Sequence, residues 1–296
     1  MRVGVSEFWS ARTILLAPPI GSLTETFQSV QVDSLQHGWF LSEVQRLRGR
    51  VYLQDGAVET HQLTADGRLV HPKDKKSWQL LVTDSTGGVS GCLRYSPADH
   101  ASFHHLDVAR SALACSDKWG VYLRDAVEAR KADAQRREIN YAEVGGWALT
   151  EELRGSRQAL QLAVTVYALA RVLGGAVVTS TVTTRHKSST IAKKVGGAGL
   201  VSGGLELPPY YDPQYKCEME ILEFDSHYPN PKYKSWVDEC QKHLTQSPVI
   251  SAEPVYPGLE YLGGTPVAGS VPRYARQPLS LPQSDDRLSC GGILKI

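Results

Sequence analysis

The six residues from Arg154 to Ala159 have the types and the order of a phosphate-binding turn. They read Arg154-Gly155-Ser156-Arg157-Gln158-Ala159 and come directly before a long apolar stretch that predicts a helix. The first N–H groups of a helix have no partner within it, and the helix dipole adds about half a positive charge at that end. The glycine lets a ligand approach the backbone, and the two arginines can add charge-assisted hydrogen bonds. The segment therefore predicts an anion site, although a solvated loop with surface arginines fits the same pattern.

The strand that leads into this turn carries an acidic residue and a pair of glycines. Residues Tyr141 to Leu149 predict a strand, with Glu143 near its start and Gly145 and Gly146 in its middle. Glycines inside a strand weaken a sheet and often mark a bulge or the close approach of a ligand. A packing pair beneath Trp147 is the alternative. Glu143 could act as a general base, or it could form a salt bridge at the strand end.

Hydrophobic periodicity and turn residues predict the elements that would position these groups. Helices are predicted over 39–52, 106–138, 157–173, 188–197 and 231–244, and strands over 77–84, 89–97, 141–149, 176–184 and 216–224. The turn STGG (85–88) joins the first two strands into an antiparallel hairpin. Residues 1–35 show only a weak pattern. Residues 251–296 are rich in Pro and Gly and predict an extension that is partly disordered or wrapped over a domain formed by 1–250.

Composition excludes several classes of protein. The chain has 296 residues, 42% of them hydrophobic, which is sufficient for one large domain. Its formal net charge of +1 gives no field that would favour nucleic acid or an acidic membrane surface. No apolar run is long enough for a transmembrane helix. The five cysteines are widely spaced without a metal-binding pattern, which predicts reduced thiols in a cytoplasmic protein and no metal site.

The order strand, turn, buried helix and β-branched strand resembles the GNAT acyltransferase superfamily. Its pyrophosphate loop follows Arg/Gln-x-x-Gly-x-Gly/Ala, which Arg154 and Ala159 match at the first and last positions. Arg157 replaces the middle glycine, a departure that favours the phosphopantetheine of a carrier protein over free coenzyme A. The resemblance implies an α/β (α+β) fold with a mixed, mostly antiparallel central sheet flanked by helices.

Three further segments are similar to one branch of that superfamily, the acyl-homoserine-lactone (autoinducer) synthases and the related N-acyl amino acid synthases. The segment LRGRVY (47–52) looks like the Leu-Arg-x-Arg-Val-Phe helix of the branch. The hairpin at 78–97 looks like the one that ends in Gly-x-x-Arg-Leu, with Gly91 and Arg94 matching. EVGGW (143–147) looks like the Glu-x-Ser-Arg-Phe strand, although glycines replace its Ser and Arg. The segments cover about residues 39–205, and 210–226 also resembles the N-acyl amino acid synthases.

The resemblance implies transfer of an acyl group, expected to be long, from acyl-carrier protein or acyl-CoA to the amine of an amino acid or similar acceptor. No tightly bound cofactor is expected. Glu143 would be the base, Arg48, Arg50 and Arg94 would orient the base or bind the acceptor, and the pantetheine arm would lie along a splayed strand. That strand surface comprises Val144, Gly145, Gly146, Trp147, Ala148 and Leu149. The alternatives are an autoinducer synthase that uses S-adenosylmethionine, a short-chain acetyltransferase and a catalytically silent GNAT-like binding module.

Overall fold

A single mixed sheet holds ten of the twelve strands found in the described residues, which are 12–18 and 26–253 of the computed structural model. The strands are β1 (Arg12–Leu16), β2 (Val30–Val32), β3 (Trp78–Thr83), β4 (Val89–Pro97), β5 (Asn140–Leu149), β6 (Ala176–Thr183), β7 (Ala198–Gly199), β8 (Val201–Ser202), β9 (Leu205–Glu206), β10 (Tyr210–Asp212), β11 (Cys217–Asp225) and β12 (Val249–Ser251). Their order across the sheet is β10-β11-β6-β5-β4-β3-β1-β12-β2, with β7 beside β11. The pairs β5–β6, β1–β12 and β12–β2 are parallel, and the other pairs are antiparallel.

Five α-helices in the described residues cover the two faces of this sheet. They are α1 (Ser34–Gln54), α2 (Trp119–Arg136), α3 (Arg157–Val172), α4 (Ser188–Val195) and α5 (Lys234–Gln246). Side chains of a strand alternate between the faces, and β3 illustrates the result. Leu80 packs in the core of α3 and α5, whereas Leu81 packs in the core of α1. Helix α2 lies on the α1 face, over Tyr141 and Val177.

A bulge in β5 changes which side chains face each helix layer. The pairing of β5 with β4 shifts between Cys92 and Arg94, and the facing residue Gly146 has a φ of +63°. A bulge adds one residue to a strand and bends it. Val144 and Trp147, three residues apart, consequently both pack against the α3 side. Glycine is favoured at position 146 because other residues rarely adopt a left-handed backbone.

The parallel pair β5–β6 separates halfway along its length. Pairing begins at Asn140 with Ala176 and ends at Glu143 with Thr179. Beyond that point Ser180 still donates a hydrogen bond from its Oγ to the carbonyl oxygen of Val144, at 2.8 Å. The rest of β5, which contains the bulge, has no backbone pairing with β6. The sheet is therefore open between the second halves of two neighbouring strands.

The fold predicted from the sequence, a mostly antiparallel mixed sheet flanked by helices, is confirmed. The predicted hairpin and the strands at 141–149, 176–184 and 216–224 occur within one or two residues of their expected bounds. The helix predicted over 106–138 is wrong in its first half, since α2 begins only at Trp119. The preceding segment instead forms short 3₁₀ turns at Phe103–His105 and Val108–Arg110. The amides of Asp107 and Val108 donate hydrogen bonds to the Glu143 carboxylate.

The weakly patterned start of the chain and the residues next to the Pro/Gly-rich extension contribute strands that the sequence did not predict. Strands β1 and β2 come from the first 35 residues, and β12 runs between them as their parallel partner. Ser251, the first residue of the predicted extension, is the last residue of β12, and the extension from 254 onward lies outside the described residues. Among the described helices, none has the length and apolar character that crossing a membrane requires.

Candidate active site

The opening between β5 and β6 leads into a cavity of about 390 Å³. Residues 143–147 of β5 and 179–183 of β6 form two of its walls, and the end of α1 and the turn at 107–111 contribute to the others. Glu143 lines one part of the cavity, and Arg154 and Gly155 line another. Glu143 and Leu149 are six residue steps apart along β5, or about 20 Å at 3.3 Å per residue. An extended ligand arm could therefore lie along β5 with its ends at these two places.

The predicted phosphate turn has the local structure of a capped helix start. Ser156 is the N-cap of α3, and its Oγ accepts a hydrogen bond from the amide of Ala159 at 3.3 Å. Gly155 has a φ of +69°, and a Cβ there would meet no atom within 4 Å. Arg154, Gly155 and Ala159 line the cavity. Arg157 instead lies over the ring of Trp236, 5.1 Å from its centroid, and neither it nor Gln158 lines the cavity.

Arg154 has a weak acidic partner. Its Nη1 lies 3.5 Å from Oδ1 of Asp55, and its buried Nη2 has no hydrogen-bond partner among the described residues. The same Oδ1 is 3.0 Å from Nε2 of His186. The guanidinium of Arg185 donates hydrogen bonds to the backbone carbonyls of Asp55 and Tyr215. The chain segments that contain these three residues therefore meet beside Arg154. A carboxylate here keeps Arg154 in place, and an incoming phosphate would compete with it for the guanidinium.

Glu143 is buried and receives three hydrogen bonds. Its Oε2 accepts from Nζ of Lys73 at 2.6 Å and from the amide of Asp107 at 2.8 Å. Its Oε1 accepts from the amide of Val108 at 3.0 Å. The residue is 4% exposed and lines the cavity. The carboxylate is thus fixed in position, and Oε1 retains one lone pair that these donors do not occupy.

Two of the three predicted acceptor arginines belong to a buried ionic cluster. Arg48 forms a bidentate pair with Asp74, at 2.8 and 2.9 Å. Arg94 donates to Asp107 at 2.6 Å and lies 3.6 Å from Asp74. Burial opposes the ionised form of Asp74, but the charge on Arg48 and the hydrogen bonds from Arg48, His71 and Gln45 together hold the pKa of Asp74 below its usual value. Both arginines line the cavity with their charges compensated by protein carboxylates.

Arg50 and Cys92 lie away from the cavity. Arg50 is exposed, on the side of α1 that does not line it. Cys92 is fully buried beneath the bulge, with its Sγ 3.5 Å from the Gly146 carbonyl oxygen. Burial raises the pKa of this thiol to about 11. A neutral thiol without access to the cavity does not provide a nucleophile for a covalent acyl intermediate.

His71 adds a neutral imidazole to the cluster. Its Nδ1 accepts a hydrogen bond from the amide of Lys73 at 3.2 Å, which leaves the proton on Nε2, 3.7 Å from Asp107. Burial, and next the charge on Arg94, lowers the pKa of His71 to about 4. Burial also opposes ionisation of Asp107, but Arg94 and Lys73 together hold its pKa below the usual value. His71 therefore lines the cavity as a hydrogen-bond donor at neutral pH.

The partner groups of the cluster were not apparent from local sequence patterns. Lys73 and Asp74 occur in HPKDKKS (71–77), a polar segment typical of a loop, and Asp107 occurs where a helix was predicted. Asp55 ends α1 as its C-cap residue. Each contacts an arginine or a glutamate that is distant in the chain, so local spacing carries no signal of the pairing.

A second, smaller cavity of about 50 Å³ lies on the α3 face of the opening. It shares part of its wall with the large cavity, namely Leu93, Val144, Trp147, Ser180 and Val182. Most of its remaining lining comes from apolar side chains of α3 and α4 and from Phe224. Trp147 has a buried N–H and Tyr167 a buried O–H that find no hydrogen-bond partner among the described residues. The opening therefore connects a charged region on the α1 face with an apolar region on the α3 face.

No protein-family model matches this sequence, and no curated protein does. Among solved structures, the chain is similar to the CoA-dependent acyl-homoserine lactone synthase BjaI, in a structure with SAM and isopentyl-CoA. The TM-score is 0.50 at 16% identity, over 81% of this chain and 92% of that chain. FeeM, an N-acyl amino acid synthase from uncultured soil microbes, gives a TM-score of 0.41 at 14% identity, over 78% and 98% of the two chains. The likeness to BjaI confirms, at the level of the fold, the resemblance predicted from the sequence.

Proposed function

We propose that the protein is an N-acyltransferase. It transfers an acyl group from the thioester of acyl-CoA or acyl-carrier protein to the amine of an amino acid or similar small acceptor, in the cytoplasm. The observation that carries this proposal is the opening between β5 and β6, with Arg154 near one end and Glu143 near the other. A donor with an anionic head and a long polar arm fits this arrangement.

The donor arm is proposed to lie along the open side of β5. Backbone groups that face β6 lose their strand partner beyond Glu143, and an arm with amide groups can pair with them. Gly145 leaves room for this arm, because a Cβ there would approach nothing closer than Nη2 of Arg94, at 3.7 Å. The phosphate at the head of the arm would take the buried, unpartnered Nη2 of Arg154. BjaI, whose structure contains isopentyl-CoA, supports the choice of a thioester donor.

The acyl chain is proposed to enter the small apolar cavity. Val144 and Trp147 lie between the large cavity and the small one, since both residues line the two cavities. Burying methylene groups there is favourable by about 0.8 kcal/mol each. A long chain requires the cavity to enlarge toward α3 and α4.

The acceptor amine is proposed to lie on the α1 face, near Glu143. The amine nitrogen attacks the thioester carbonyl carbon, the C–S bond breaks, and the thiol leaves. The amine proton passes to the free lone pair on Oε1 of Glu143, directly or through a water molecule, and then reaches the departing sulfur. Lys73 and the amide of Val108 keep the carboxylate aimed at this position. Arg48 and Arg94 stabilise the surrounding wall through Asp74 and Asp107.

The test is a survey of thiol release with acyl-CoA and acyl-carrier protein donors of increasing chain length, each with a panel of amino acids and simple amines. Mass spectrometry identifies the products. An N-acyl amino acid supports the proposal. An acylated lactone formed from S-adenosylmethionine would identify an autoinducer synthase instead. Donor binding without thiol release under every condition would favour a silent binding module, and the absence of donor binding would refute the proposal altogether.

A further inference from the structure

Arg110 differs from the other arginines that line the cavity, because its guanidinium forms neither an ion pair nor a hydrogen bond with the described residues. Arg48 and Arg94 contact Asp74 and Asp107, and Arg154 contacts Asp55. The remaining lining arginine, Arg185, donates to three backbone carbonyls. Arg110 lines the same cavity and is exposed. It is thus a cation that the described part of the chain does not neutralise.

The position of Arg110 is fixed by the turn that holds Glu143. Asp107 and Val108 donate their amides to the Glu143 carboxylate, and Val108–Arg110 forms the 3₁₀ turn that follows. The amide of Arg110 closes that turn by donating to the carbonyl of Asp107 at 3.0 Å. Side chains three residues apart eclipse in a 3₁₀ helix, so Asp107 is the acid nearest to Arg110 along the turn. Its carboxylate contacts Arg94 and Lys73 instead.

An α-amino acid carries an amine and a carboxylate, which suit Glu143 and Arg110 respectively. Its amine must lie near Glu143 for the proposed proton transfer, and its carboxylate is only two bonds away from the amine. An unpaired guanidinium two residues beyond Val108 can bind both oxygens of that carboxylate through two parallel N–H groups. Arg94, the residue expected from the sequence to do this, already contacts Asp107 and Asp74. When no ligand is bound, an exposed guanidinium remains hydrated. Its unpaired charge therefore costs less free energy than that of a buried guanidinium.

We infer that Arg110 binds the carboxylate of the acceptor and restricts the acceptor to α-amino acids and other amines that carry a nearby carboxylate. This inference rests on the proposed acyl transfer, which it makes more specific. The amine of the acceptor then faces Glu143, and its side chain faces the wall formed by Tyr210, Asp212 and Tyr215, which also line the cavity.

The experiment compares free L-amino acids with their carboxamides, which keep the amine and side chain but lose the negative charge. Binding to the full chain is measured by ligand-observed NMR without a donor, and acylation is measured with acyl-CoA by mass spectrometry. The wild-type protein is expected to prefer the acid over the amide. Arg110→Gln is expected to raise the dissociation constant of the acid about 10- to 100-fold and to leave that of the amide unchanged. Arg110→Lys should restore part of the preference.

The matched control is Arg136→Gln, which removes the same charge from an exposed arginine at the end of α2 that does not line the cavity. If the wild-type protein binds acid and amide equally, or if Arg110→Gln keeps the preference for the acid, the inference is wrong. These binding results are independent of catalysis. A wild-type protein that prefers the acid but never releases thiol would overturn the proposed acyl transfer and leave the role of Arg110 supported.

Discussion

Replacing Gly145 with valine should stop acyl transfer without unfolding the protein. The backbone of Gly145 does not adopt the left-handed conformation. A Cβ there would lie 3.7 Å from Nη2 of Arg94, an ordinary van der Waals contact. Replacing a glycine at a compatible position stabilises a protein by about 0.4–1 kcal/mol, and β-branched residues suit strands. The new methyl groups would, however, occupy the cavity beside Glu143, where the proposed donor arm and acceptor meet.

The expected loss of turnover can be estimated from geometry. A displacement of about 1 Å in a reacting group can cost about 10²-fold in rate. Gly145→Val is therefore expected to reduce kcat/KM by at least about 100-fold, while the melting temperature stays within a few degrees of wild type. Gly146→Ala should behave differently. Its left-handed backbone costs about 1–2 kcal/mol for a residue with a side chain, and its Cβ would lie 3.3 Å from Nη1 of Arg48.

The assay combines thiol release, donor binding by calorimetry and thermal melting for Gly145→Val, Gly145→Ala and Gly146→Ala. Gly38→Ala is the control, since Gly38 lies in α1 and a Cβ added there would meet no atom within 4 Å. Wild-type turnover and donor affinity in Gly145→Val would refute the reasoning, because the open side of β5 would then not hold the donor. Early melting of that variant would instead show that the glycine serves the packing of the strand.

Four further variants address the remaining groups. Arg154→Ala should weaken donor binding about 10- to 100-fold, whereas Asp55→Asn should strengthen it by freeing the guanidinium; equal affinities in calorimetry would contradict both. Glu143→Gln should lower turnover about 10²–10⁴-fold with donor binding retained, and undiminished turnover would place the base elsewhere. His71 has a pKa of about 4 in the folded protein, against an ordinary value of 6.5, so the unfolded chain takes up its proton first as the pH falls. The free energy of unfolding should therefore decrease as the pH drops from about 6.5 to about 4. His71→Asn should flatten this slope in urea titrations, and an unchanged slope would assign it to other groups.

The parts of the fold that the sequence predicted are those with a strong local signal. Residues 157–172 form a buried helix because their apolar side chains cover most of its surface, and Ser156 caps it. The hairpin at 78–97 has the alternation and the turn residues that its structure requires. By contrast, β1 and β12 are short strands from opposite ends of the described chain, and each is stabilised by the other. Their pairing depends on long-range contacts that no local pattern reports.

The candidate site was predictable only in part, for the same physical reason. Glu143 and Arg154 lie near the ends of a predicted strand and helix, where the residue type alone indicates a general base and an anion-binding group. The partners that determine their behaviour, such as Lys73 and Asp55, come from turns distant in sequence. The expectation that Arg94 binds the acceptor did not anticipate Asp107, which lies where a helix was predicted. A compensated arginine and a free one look identical in a sequence.

The open sheet also affects how the activity of this protein can be discovered. Backbone groups of β5 beyond Glu143 have no backbone partner in β6, so a ligand that completes the sheet binds the folded state and not the unfolded chain. Such a ligand at 100 times its dissociation constant adds about 2.7 kcal/mol to the free energy of unfolding. For a domain of this size, this corresponds to a rise in melting temperature of about 5–10 °C. Heating the protein with candidate donors can therefore rank them by affinity before any acceptor is known.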